Sequence, residues 1–148
     1  MNEFEKIISE NQQERERLAA LTSKLTEAVF QKRLPNGWTV AAAFVHLAFW
    51  DERQTTLFKR WLEQGVQPAS LDAEAINPPL EVIAKAIAGP AAVKLALEAA
   101  ETVDGIIEKL SPVQVEELLK MGLERNLHRA IHRKNHLDKI EKALDPKN

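Results

Sequence analysis

The sequence predicts an all-α chain, a four-helix bundle whose second and third helices are joined by a long connection. Three observations lead there. The 148 residues include only five glycines and no tyrosine, whereas Ala, Leu, Glu and Lys, all strong helix formers, abound. Apolar residues return at steps of three and four through four long segments. No segment alternates with the period of two that a half-buried strand requires, and no internal repeat stands out. A chain of this length fits one domain, residues 1–148. Its 45% hydrophobic and 28% charged residues are a globular balance that excludes disorder.

The first helix is expected over about residues 3–31, where Phe4, Ile7, Ile8, Leu18, Leu21, Leu25, Ala28 and Val29 keep helical spacing. "LPNGW" stops it with turn formers. Thr39 then caps a second helix from Val40 to about Glu63, ended by Gly65. Residues 66–79 hold three of the seven prolines and read as a long connection, with a short helix in "PLEVIAKAIAG". Pro90 opens a third helix that ends near Leu110. Ser111 and Pro112 start a short piece, and Gly122 separates it from a last helix over about 123–144.

The last helix carries "LHRAIHRKNH", in which His128, His132 and His136 recur every four residues and stack on one face. At 100° per residue they lie nearly opposite the stripe of Leu123, Leu127, Ala130, Leu137 and Leu144, with Ile131 and Ile140 on their flanks. The column is either a set of metal ligands or part of a polar face. The fourth histidine, His46, sits in "VAAAFVHLAFW", the most apolar stretch, which should be buried all round by the long connection or a second subunit. A buried imidazole there needs a partner. Two histidines at i and i+4 plus a third from a facing helix make a workable shell for a divalent metal. A satisfied core histidine and a chance surface pair are the plainer alternative.

Composition excludes several classes. With no cysteine, the chain makes no disulfide, zinc finger or catalytic thiolate of its own. The net charge of -2, with basic and acidic residues interleaved, disfavours nucleic acid. No apolar run is long enough to span a membrane, and the charged start "MNEFEKIISENQQERE" lacks a signal-peptide core. The expectation is a cytoplasmic protein.

"GWTVAAAFVHLAFWDER" (37–53) resembles the second-helix signature of the DinB-like four-helix bundles, the superfamily that includes YfiT-type metal hydrolases. "HRKNHLDKI" (132–140) is similar to that family's last-helix His-x-x-x-His motif, and "LDAEAIN" (71–77) to the acidic segment of its long connection. The resemblance spans nearly the whole chain. It implies that His46, His132 and His136 bind one divalent metal, zinc or nickel first, iron or manganese next. His128 has no counterpart in that triad; it is a second-shell donor, an alternative ligand or a surface residue.

The resemblance implies an enzyme acting on a small molecule, by hydrolysis or by transfer that uses a low-molecular-weight thiol, since mycothiol-dependent maleylpyruvate isomerases and bacillithiol transferases share the fold. Any thiol must come from a cofactor, because the chain has none. It also implies a homodimer, for which the excess apolar surface of the second helix is a candidate interface. The rival is a non-catalytic bundle, a stress-response binding or interaction module with a structural or vestigial metal site. Other polar residues have open roles. Asp51 and Arg53 are pocket groups or ion-pair partners. Asn11 and Arg15 break the apolar stripe of the first helix, admitting substrate or marking a wet bundle end. Asn77 reads as a turn or cap residue, and Trp38, Trp50 and Trp61 as core anchors.

Overall fold

A computed structural model describes residues 1–147. Among them the chain is all-helical, without a strand; one isolated antiparallel bridge joins Arg33 to Thr39. The helices are α1 (Glu3–Leu21), α2 (Glu27–Phe30), α3 (Val40–Gln64), α4 (Ala73–Ala84), α5 (Gly89–Ile107), α6 (Pro112–Lys120), α7 (Glu124–Leu127) and α8 (Arg129–Leu144). The four longest meet in a ring: α3 packs along α5, α5 against α1, α1 against α8 and α8 against α3. No helix is long and apolar enough to cross a membrane, among the described residues.

Local chemistry sets most of the ends as expected. Asn2 and Glu5 form a reciprocal capping box on α1, Thr39 caps α3, and Ser111 with Gln114 caps α6. Gly65 ends α3 at φ 86°, a conformation costly for any other residue. Gly89 starts α5 directly against the Phe30 ring, where a Cβ would collide with it.

Three boundaries differ from the periodicity. The first helix stops at Leu21 rather than near residue 31, because Thr22 and Ser23 hydroxyls donate back to the Ala19 and Ala20 carbonyls and Thr26 caps a separate turn. The connection after α3 is shorter than residues 66–79, since α4 begins at Ala73 and runs through Pro78 and Pro79. Capping by Asp72 and the burial of Leu80 and Ala84 hold α4 together despite the two missing N–H donors. The last helix is broken at His128, whose φ of -89° and ψ of 71° separate α7 from α8.

The core is split. One apolar cluster surrounds Val40–Ala48, Ala92–Ala100, Leu137 and Ile140; a second surrounds Ile7, Leu57, Phe58, Val103, Ile107 and Leu127. Residues 40–48 are all buried within the chain, as the apolar run implied, so they are not the exposed surface offered as a dimer interface. Between the clusters, each long helix contributes a buried polar side chain: Asn11 from α1, Asp51 from α3, Asp104 from α5 and Arg133 from α8. The Arg133 fork meets Asp104 at 2.8 Å through both Nη atoms and Asp51 at 3.0–3.1 Å through Nη2 and Nε. Arg129 adds a bond to Asp51 at 2.9 Å, and Arg15 one to Asp104 at 2.7 Å. Burial lowers the pKa of Arg133, but the two carboxylates outweigh it and raise the pKa above its ordinary value.

Candidate metal centre

His46 lies in the second turn of α3, where the apolar sequence keeps the helix buried on every side. His132 and His136 lie one turn apart on α8. Their neighbours fix the face they present: Arg133 is locked into the ion layer, while Leu137 and Ile140 are buried in the first apolar cluster. Packing α8 against α3 then brings the three imidazoles together across 86 residues of sequence. Ring centroids are 5.0 Å apart for His46 and His132, 4.5 Å for His46 and His136, and 4.7 Å for His132 and His136.

One nitrogen from each ring lies within 4.8 Å of the other two. The Nε2 atoms of His46 and His132 are 3.0 Å apart, about the separation of two nitrogens bonded at about 2.1 Å to a shared ion. The Nδ1 atoms of His46 and His132 are buried without a hydrogen-bond partner. Each such orphan costs roughly 1–3 kcal/mol unless something from outside the chain satisfies it. Three ring nitrogens therefore lie close together, and two of the rings carry a further nitrogen with no partner. The set could hold a divalent metal ion.

The protonation states fit that role. Burial first, then the neighbouring His136 and Lys139, lowers the His46 pKa to about 4. Burial, His136, Arg129, His46 and Arg133 lower that of His132 to about 2. Burial and Lys139 lower that of His136 to about 4. All three rings are neutral at pH 7, leaving lone pairs free for a metal.

A cavity of about 660 Å³ opens onto the triad. Trp38 meets His46 edge-on at 5.4 Å, and Trp50 is tilted at 6.2 Å from it. Trp61 is the buried anchor; Trp38 packs against the first apolar cluster and also walls the cavity, and Trp50 is a cavity wall rather than a core anchor. Asn77, read as a turn or cap, instead sits inside α4 and accepts a bond from Trp50 Nε1 at 3.2 Å.

His128 does not join the triad. The helix break turns it out of the column, and its Nε2 lies 2.6 Å from a Glu10 carboxylate oxygen at the cavity wall. Asn11 explains how the break is tolerated: its amide donates to Leu127 O at 2.9 Å and accepts from Ala130 N at 2.8 Å. It is buried, so the wet bundle end expected there is absent. Asp51 and Arg15 are ion-pair partners across helices, whereas Arg53 bonds the Ser70 carbonyl and lies over the Trp50 ring. The sequence reading passed over Gln54, Arg125 and Asn126, which also line the cavity. Gln54 is eight residues after His46, a spacing that returns to the same side of α3, whereas Arg125 precedes the helix break at His128, so its spacing from His132 gave no such signal. No protein-family profile, no characterised protein and no solved structure matches the chain.

Proposed function

We propose that this chain is a DinB-like four-helix bundle whose His46, His132 and His136 hold one divalent metal ion at the end of a small-molecule cavity. The observation that carries the reading is the convergence of three neutral imidazoles, two with orphaned nitrogens, at the wall of that cavity. Zinc or nickel suits an all-imidazole set best, with iron or manganese next. Three neutral ligands leave the ion's charge uncompensated, and such an ion polarises an oxygen or lowers the pKa of a bound water or thiol.

The chain's own residues supply the rest. Trp38 and Trp50 form apolar walls beside the triad and exclude water from one side. His128, held by Glu10, adds an imidazole to the cavity wall outside the triad. Under this reading the protein acts on a small molecule, by hydrolysis or by transfer with a low-molecular-weight thiol supplied as a cofactor. It works as a homodimer, as the family resemblance implies. A non-catalytic binding module is the second reading. It is favoured by the cavity lining, which contains no Asp or Glu among the described residues.

Plasma mass spectrometry on protein purified without an affinity tag tests the metal. Near-stoichiometric divalent metal is expected, lost in the His132→Ala His136→Ala variant. If native protein carries none and takes up none at neutral pH, the metal reading is wrong. Turnover screens with and without added thiols then separate the two chemistries from the binding module.

A further inference from the structure

The cavity has a second pole, and its chemistry differs from that of the triad. Arg53 and Gln54 lie seven and eight residues beyond His46 on α3, about 10 Å along the helix axis. Arg125 and Asn126 lie seven and six residues before His132. All four line the same cavity. One end therefore holds imidazoles, and the other holds guanidinium and amide groups.

This second pole is rich in donors and short of acceptors. Asn126 donates to Gln54 Oε1 at 2.8 Å, which leaves the Gln54 amide nitrogen as a donor. That nitrogen is buried and has no acceptor. Arg53 bonds only the neutral Ser70 carbonyl and stacks on Trp50, and no carboxylate pairs with it among the described residues. Arg125 likewise has no ion pair among them. Arg129 is different, since Asp51 behind the wall already compensates its charge. Burial first, then the charges of Arg129 and Arg60, lowers the Arg53 pKa.

An excess of charge and an unused buried donor at one place ask for an anion. We propose that the cavity binds a small molecule bearing a carboxylate or phosphate, held by Arg53, Gln54 and Arg125, with the rest of the molecule reaching toward the histidines. The proposal deepens the metal-site reading by naming its substrate class, and rests on that reading only for what happens at the histidine end. Guanidinium forks match both oxyanions in geometry. A cavity of about 660 Å³ lies within the range of small-molecule sites.

The test is an NMR titration of the full chain with three probes: 3-phenylpropionate, phenyl phosphate and the neutral 3-phenylpropanamide. The Gln54 side-chain amide and the Trp50 indole N–H report binding. At least one anion is expected to bind about tenfold more tightly than the amide, and which one does names the headgroup. An Arg53→Gln Arg125→Gln variant, at half-buried and exposed positions where folding is not at stake, should lose that preference. The His132→Ala His136→Ala variant should keep it. Equal binding of anion and amide, or a preference that survives in the arginine variant, overturns the proposal. So does a preference that disappears with the histidines, because the anion is then held at the triad. Failure of the metal reading appears separately, as protein without metal that still prefers the anion.

Discussion

Two buried polar clusters share the α3–α8 interface, five residues apart on α3 and one residue apart on α8: His46 with His132 and His136, and Asp51 with Arg133 and Arg129. In the ion layer the Arg133 guanidinium meets Asp51, Asp104 and the Asn11 and Ala100 carbonyls, so its donors are matched inside the chain. In the triad, the one ring-to-ring hydrogen-bond contact is between His46 and His132, and two nitrogens have no partner. Closeness in space is common to both. The difference is that the ion layer closes the interface from within, whereas the triad lines a cavity and leaves two buried ring nitrogens without a partner. Self-sufficient polarity serves the fold, and incomplete polarity at a cavity wall is what the proposed metal site rests on.

The largest expected effect lies on the self-sufficient side. Asp51→Ala leaves Arg133 and Arg129 buried with too little counter-charge, and should cost roughly 3–5 kcal/mol. Urea unfolding measures it; a loss below about 1 kcal/mol would show that the layer is not what joins the helices.

Acidification addresses the other side in metal-free protein. The unfolded histidines take up protons near pH 6.5, the folded ones only near 4, 2 and 4. Between those values the unfolded state binds more protons, so stability rises with pH and is lost as pH falls. From pH 7 to 6 the three histidines together should cost about 2 kcal/mol. A flat stability profile across that interval would mean that the rings are not held neutral by burial.

The smallest effect sharpens the contrast most. His132→Leu removes an orphaned nitrogen but also the Nε2 that His46 contacts at 3.0 Å; the two effects offset, so metal-free stability should change by no more than about 1 kcal/mol. Added zinc should raise the thermal midpoint of the wild type and not of this variant. A large destabilisation of the metal-free variant would place the triad with the ion layer as a structural cluster.

Much of the site was legible in local spacing. The i,i+4 pair of His132 and His136, and His46 in an all-apolar helix, stand out because helical periodicity depends on nearest turns alone. His128 misled, since nothing between Gly122 and Pro146 announces a helix break. The backbone groups at that break are satisfied by Asn11, more than 110 residues away. Trp50 misled for a related reason: spacing marks an aromatic as facing inward, but not whether the interior is filled or hollow there. The prolines of α4 show packing overriding a breaker signal.

The sequence by itself determined the helical class, the caps of α1, α3 and α6, and the absence of a thiol in the chain, because each rests on residues within a turn or two of one another. Tertiary structure decided which polar groups meet. His46 with His132, Asp51 with Arg133 and Asn11 with Ala130 are separated by 86, 82 and 119 residues. Hydrophobic burial, which drives the helices together, is non-directional and carries no code for such pairs. The pairing emerges only when the apolar faces have settled and each buried donor or acceptor must find a partner or await one.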